Sequence, residues 1–323
     1  MDTPAGNPAN AAEVDFQAYA EVLKLQTPRP TTLPDEEIAS DLILVDAVYQ
    51  HYLAHRPEPD SFPSMALQVI TLLGREDVDI QKLSLLVSRD PGMTAALLRV
   101  ANTALYLGVQ RVTSVREAIT RMGLNEAGWI AGAAAAKSLF SSQERLAQLP
   151  FAAVSQDIYI NAVTCAVTAG WVSMKRPPAQ TDRCYLGGLL HNIGRSIALH
   201  SAAALHANGL VELTPKSARL HRVLDSLQSP IGTDALRLWQ LPEFVIAIAA
   251  NPVAPTPDSE PEQQIVSLVS ALQLLRTDPD RNPGAATTLL MGARALNLMP
   301  PALQTIDLAR KRFEALANSL AAA

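Results

Sequence analysis

The chain has 323 residues, 48% apolar and 18% charged, which suffices for roughly two packed units and excludes wholesale disorder. Only 5% of it is aromatic while alanine and leucine abound, a balance that favours helices packed on helices. A net charge of -5 excludes the broad basic footprint of a protein that grips a phosphate backbone.

Residues 1 to 12 are small and polar and predict disorder, without the basic start and apolar run of a secretion signal. A first amphipathic helix is predicted over 13–26, stopping before Thr27-Pro28-Arg29-Pro30. A second, over 34–56, opens at Pro34-Asp35-Glu36-Glu37, where acids complement the positive helix end, and closes before Pro57-Glu58-Pro59-Asp60. Residues 1–60 therefore read as an N-terminal extension that either docks on the core or folds on a partner.

Five short helices are predicted between 61 and 140. Met65, Val69, Ile70 and Leu73 recur at helical spacing; Asp79 then caps a helix carrying Leu83, Leu86 and Val87. Asp90-Pro91 is a second cap with proline at the first helical position. Ser114 starts a helix that Gly123 ends, and Asn125 opens the fifth, through Trp129 to Phe140. Longer helices follow over 151–174, 181–190, 192–208, 216–226, 231–239 and 242–250. Asn251 to Asp258 is a proline-rich loop, and further helices span 260–276, 284–297 and 300–321. No strand alternation occurs, so the fold class is all-α. The longest apolar run, Gly128 to Ala136, is far short of the ~20 residues that cross a bilayer.

Two stretches, taken together, resemble the HDOD family, the HD-related output domain of bacterial signalling proteins. The first is Arg89-Asp90-Pro91 followed by Leu97-Leu98-Arg99-Val100-Ala101-Asn102-Thr103-Ala104-Leu105-Tyr106, with Val112, Ser114, Ala118, Ile119 and Gly123 fitting the next stretch. The second is Leu186-Gly187-Gly188-Leu189-Leu190-His191-Asn192-Ile193-Gly194; Gly232, Leu236, Leu238, Trp239, Leu241 and Pro242 match further on. The resemblance covers about residues 61–275. It implies an N-terminal helical subdomain (61–140) packed on a degenerate HD-like subdomain (141–275), with the 1–60 extension and C-terminal helices (276–323) outside it.

An active HD hydrolase holds its metal with an early histidine, a His-Asp pair and a later aspartate. Here the aligned positions are Asn161, His191-Asn192 and Ser270. One imidazole, two amides and a hydroxyl are poor ligands for zinc, manganese or magnesium, and without a metal no hydroxide nucleophile forms. The expectation is no catalytic residue, no metal and no cofactor. His191 reads as a structural histidine bonded to a neighbouring helix or to Asn161, and Asn161 and Asn192 as a buried amide network.

The remaining candidates have bland readings. His51 and His55 stand four apart on a helix, a chelating spacing that lacks a third ligand. His200, His206 and His221 have no acids at ligand spacing. Cys165 and Cys184 read as buried small hydrophobes in a reducing compartment. Asn102 is expected to cap or cross-bond helices, and Arg99 to pair an acid between the subdomains. Arg111, Arg116 and Arg121 read as a solvated basic face, and the small-residue run 131–136 as close packing, with a homodimer seam as its other use. No nucleotide-loop or hydrolase motif is present.

The function expected is a cytoplasmic, non-enzymatic bacterial signalling adaptor that binds a protein partner, without membrane insertion or nucleic acid, its signal supplied by a separate protein. The alternatives are a small-ligand sensor of nucleotide or second-messenger class using the Asn161–His191–Asn192–Ser270 cleft, and a residual metal-dependent phosphohydrolase.

Overall fold

The computed structural model describes residues 8–29, 32–75, 77–106, 110–141, 150–250, 258–282 and 284–322, with side chains from residue 16 onward. Most of the proline-rich loop, residues 251–257, lies outside the described residues, as do residues 1–7. Among the described residues there is no strand, and the fold is all-α.

The first half is built from α3 (Ser64–Leu73), α4 (Ile80–Val87), α5 (Pro91–Ala101), α6 (Val115–Met122) and α7 (Leu124–Ala136). The caps of α4, α5 and α6 are those the sequence signals, whereas α7 starts at Leu124 directly after Gly123 and not at Asn125. The Asp79 carboxylate accepts from the Lys82 N–H at 2.8 Å, Asp90 from Met93 at 2.8 Å, and the Ser114 hydroxyl from Glu117 at 3.2 Å. Gly123 closes α6 at a φ of 86°, a left-handed conformation that costs glycine nothing. Helix α7 lies between α3 and α5, and Gly128 makes room on it for the Leu73 side chain.

The second half comprises α8 (Ala152–Ser173), α9 (Thr181–Leu190), α10 (Ile193–Ala207), α11 (Ala218–Leu238), α12 (Glu243–Ala250) and α13 (Pro261–Thr277), followed by α14 (Gly284–Ala295) and α15 (Pro300–Ala321). Helix α8 is apolar all round and buried from Ala162 to Gly170, as a central helix must be. It packs against α9, α13 and α15. The halves join through tyrosines: Tyr159 donates to the Ala133 carbonyl at 2.9 Å and Tyr185 to that of Trp129 at 2.7 Å. Ala131, Gly132, Ala133 and Ala136 are thereby buried within the molecule, so this run serves internal packing.

Two expectations are revised and one open alternative is resolved. Helix α1 (Pro8–Leu23) begins five residues before its predicted start, so residues 8–12 are helical. Residues 216–226 and 231–239, read as two helices, form the single helix α11 with Pro230 inside it. A proline in a helix interior costs about 3 kcal/mol. Burial of Leu220, Val223, Leu224, Leu227, Ile231, Ala235 and Leu236 on this one helix exceeds that, at ~1.5–3 kcal/mol for each large side chain. Third, the extension docks on the core. Helix α2 (Asp35–Ala54) lies on α10 and α11, where Asp41 pairs Arg222 at 2.6 Å and Arg219 at 3.3 Å, and Asp234 accepts from Tyr52 at 2.7 Å. Helix α1 inserts Phe16, Ala20 and Leu23 among apolar residues of α13, α14 and α15.

His51 and His55 stack at 4.3 Å between centroids on α2. Cys165 and Cys184 are buried free thiols; burial raises both, Cys184 to about 12. No helix among the described residues is long and apolar enough to cross a membrane.

Candidate functional site

The break between α9 and α10 creates the site. Leu190 ends α9, Ile193 begins α10, and His191 and Asn192 occupy the corner. Two close approaches hold it: a Cβ on Gly188 would sit 2.7 Å from the Ala166 Cα of α8, and one on Gly194 would sit 2.6 Å from the Gly232 nitrogen of α11. Glycine at both positions lets α8 and α11 press against the corner.

A cleft of ≈ 510 Å³ opens there, lined by α8, the corner, α11, α13, the turn after α13, and α15. Asn161, His191, Asn192 and Ser270 all line it. His191 shares a hydrogen bond of 2.7 Å between Nδ1 and the Gly188 carbonyl, inside its own helix end and not to Asn161 or a neighbouring helix. Burial lowers its pKa to about 4, so the ring is neutral near pH 7, Nδ1–H donates, and Nε2 is the acceptor. Asn192 Nδ2 donates to the Ile158 carbonyl at 3.1 Å and to Asn161 Oδ1 at 3.1 Å, forming the amide pair expected of these two residues. Gln273 Nε2 extends it by donating to the Asn161 carbonyl at 3.2 Å.

The wall formed by α10, α11 and the turn after α13 is ionic. Arg195 is buried and its Nη1 pairs with Asp225; Arg281 Nε pairs with the other oxygen of the same carboxylate at 3.0 Å. Burial, then repulsion from Arg281, weighs against charge on Arg195, and the Asp225 contact offsets this. His221 lies beside them with Nδ1 3.4 Å from Arg195 Nη2; burial, then Arg281 and Arg195, lower it to about 4. On α15, Arg310 is held by Asp307 at 2.9 Å and Glu314 at 2.9 Å.

The donors do not fit a divalent cation. One imidazole stands with two amides already engaged with each other and a hydroxyl, and hard cations need charged or multiple oxygens. Among the described residues, no group of three or more His, Cys, Asp and Glu is placed to share an ion.

Sequence reasoning missed Thr164, Arg195, His221, Asp225, Gln273 and Arg281 as cleft residues. Arg195 had a signal, since it directly follows the His-Asn-Ile-Gly corner; Arg281 lies beyond every matched motif. The other signature residues, Asp90, Pro91, Arg99 and Asn102, stand apart from the cleft. Asn102 accepts from the Val112 N–H at 2.8 Å and donates to the Leu98 and Val112 carbonyls at 2.7 and 2.9 Å, pinning the entry to α6. Arg99 is exposed and, against expectation, pairs with no acid among the described residues; it ends α5 where its charge complements the negative helix end.

The HDOD domain family matches residues 60–255, more than half of the chain. An uncharacterized protein of Treponema pallidum (strain Nichols) is 25% identical over 198 residues; the match takes in 57% of this chain and 35% of that protein's length. Among solved structures, an HDOD domain protein with unknown function from Geobacter sulfurreducens superposes with a TM-score of 0.58 at 15% identity, covering 88% of this chain and 99% of that one. A protein of Shewanella amazonensis SB2B, whose name proposes a metal-dependent phosphohydrolase, gives 0.60 at 20% identity over 86% of this chain and 99% of its own. At such identities these structures establish the shared fold, and the sequence match establishes membership: the chain belongs to the HDOD family.

Proposed function

We propose that this is a non-enzymatic signalling protein of the bacterial cytoplasm that acts by binding a protein partner. The observation that carries this reading is the donor set at the HD corner, where Asn192 and Asn161 bond to each other and leave one imidazole. HDOD membership supports the signalling role. The outward face of α2 supports a partner: Leu42 is 62% and Ile43 73% exposed on a helix whose other side packs on α10 and α11. Those two helices also carry Arg195, His221 and Asp225 of the cleft, so a change there and a change in α2 are mechanically adjacent.

A second reading, a small-ligand sensor, is favoured by the preserved cleft. The two are compatible, the ligand biasing the surface that the partner meets.

The test pairs affinity capture with a turnover assay, on the full-length chain. Deleting residues 1–60 would strip Leu44, Val48 and Tyr52 from the core, so Leu42→Ser/Ile43→Ser is the better probe. A partner captured at one-to-one stoichiometry by the wild type and lost in the double variant, with no phosphoester hydrolysis under manganese, magnesium or zinc, is the expected result. Metal-dependent turnover abolished by His191→Ala would overturn the reading.

A further inference from the structure

We propose that the outward face of α2 is the docking site for a basic amphipathic helix of a partner protein. The inference rests on the protein-binding reading above and names the chemistry of the partner that this face takes.

The face is built from two helical rows. Asp35, Ala39 and Ile43 follow one another at a spacing of four, as do Ile38, Leu42 and Asp46, so the members of each row are neighbours along the helix surface. The apolar members stand together in the middle: Ile38 is 43% exposed, Leu42 and Ile43 more so, and Ala39 is exposed between them. Leu44, Val48 and Tyr52 take the other side of the helix into the core, so this face cannot turn inward. A single open apolar side chain is ordinary, but three within two turns of one helix form a patch. The α2 backbone is bonded within the helix and offers no strand edge, so a partner must read side chains. Rows spaced by four are the ridges and grooves into which another helix packs.

The charge around this face sets the sign of its partner. Helix α2 carries five carboxylates and no lysine or arginine. Among the described residues two arginines reach them: Arg222 pairs with Asp41 at 2.6 Å and with Glu37 at 3.5 Å, and Arg219 with Asp41 at 3.3 Å. Five negative charges against two positive leave −3. Asp35, Glu36 and Asp46 are exposed and have no basic partner among the described residues. The positive helix end offsets part of the charge on Asp35 and Glu36; Asp46, in mid-helix, has no such offset. Asp35 and Asp46 close the two rows at opposite ends, so apolar side chains flanked by lysine or arginine are the complement. The same charge argues against two other occupants. A second copy meeting this face with its own α2 would set −3 against −3, and an anionic lipid surface would be repelled.

The experiment measures, by fluorescence anisotropy, the binding of the full-length protein to two labelled amphipathic peptides of about fourteen residues. Both have a leucine face; one carries lysine on the other face and one carries glutamate. The lysine peptide should bind at one-to-one stoichiometry and at least about ten-fold more tightly than the glutamate peptide. Leu42→Ser/Ile43→Ser should weaken it about thirty-fold or more, whereas Leu308→Ser, an equally open leucine on α15, should leave it unchanged. Asp35→Asn/Asp46→Asn should weaken it about five-fold and flatten its dependence on salt. All of these substitutions are at exposed side chains, and melting curves beside the wild type check that the fold is kept. No binding of the lysine peptide, equal binding of the two peptides, an unchanged affinity in Leu42→Ser/Ile43→Ser, an equal loss in Leu308→Ser, or no effect of Asp35→Asn/Asp46→Asn would overturn the proposal. So would a homodimer in sedimentation that Leu42→Ser/Ile43→Ser dissociates, since the face would then belong to a second copy. The capture experiment separates this inference from the reading beneath it. A partner lost in Leu42→Ser/Ile43→Ser but held undiminished by Asp35→Asn/Asp46→Asn would keep the partner-binding reading and overturn the basic helix. No captured partner, with the lysine peptide bound as expected, would overturn the partner-binding reading and leave the helix-binding face standing.

Discussion

The two halves of the molecule differ in how fully they satisfy their polar residues. Between α3 and α7 three of them are consumed by backbone, Asp90 by the Met93 N–H, Ser114 by that of Glu117, and Asn102 by both groups of Val112 and the Leu98 carbonyl, while Arg99 stays in solvent. At the α9–α10 corner the bonds to backbone are joined by an amide pair between Asn192 and Asn161, and Asn192 Oδ1, Gln273 Oε1 and Thr164 Oγ1 are buried with no partner among the described residues. A polar residue whose hydrogen bonds all go to backbone specifies the fold. One that is buried with capacity to spare calls for an explanation beyond the fold.

The largest effect should come from the corner's packing. In Gly194→Ala the new methyl would collide with the Gln228 carbonyl oxygen and lie 2.6 Å from the Gly232 nitrogen, both backbone atoms of α11 that cannot rotate aside. A loss of about 3 kcal/mol or more in urea unfolding is expected, with α10 and α11 pushed apart. A mild variant here would show that the corner is loosely packed and remove the basis for a preformed cleft.

Asn192→Asp restores the His-Asp pair in sequence only. Its second carboxylate oxygen would face the Ile158 carbonyl and Asn161 Oδ1, which now receive N–H groups. The expected cost is about 2–3 kcal/mol, and manganese should not recover it because a single imidazole remains as the other donor. Recovery of stability with metal would mean that the corner is one substitution from an ion site and would erase the contrast between the halves.

Much of the helical scaffold was legible because its signals are local. Asp79, Asp90-Pro91 and Ser114 each satisfy orphan N–H groups within three residues of themselves, so the cap can be read without knowing the fold. Pro230 misled because its penalty is local while the burial that overrides it comes from α10 and α12. At the site, Asn161, His191, Asn192 and Ser270 could be named from the motif register, and the cleft brings them together. Arg281 and Gln273 could not, since their meaning depends on which elements fold against the corner. Arg99 was misread for the same reason in reverse: a partner was expected where the fold leaves solvent.

Acid should damage the corner before it damages the first half. His191 has a folded-state pKa of about 4 against an ordinary value of 6.5, because burial disfavours its charged form. Between these values the unfolded chain binds the proton and the folded one does not, so the contribution is full above pH 6.5 and is lost as pH falls toward 4. Going from pH 7 to pH 5 should cost about 2 kcal/mol from His191 alone. His221 shifts the same way and adds to the slope. In His191→Gln the slope of unfolding free energy over this range should flatten; an unchanged slope would show that His191 is solvated when folded.

The smallest effect bears most directly on the comparison. Asp90 accepts one backbone N–H at the start of α5, with Pro91 already fixing the first helical residue. Asp90→Ala should therefore cost about 1 kcal/mol and Asp90→Asn only a fraction of that, because an amide oxygen can replace the carboxylate as a cap. Asp90 does not line the cleft, so neither substitution should alter any affinity measured there. If Asp90→Ala did weaken ligand binding, the two halves would be energetically coupled through α7 and the tyrosine bonds to its carbonyls. Separating fold-specifying polar residues from binding ones would then be a matter of degree. If only stability moved, the family signature would be a set of caps and pins, and the chemistry of the cleft would reside wholly in the second half.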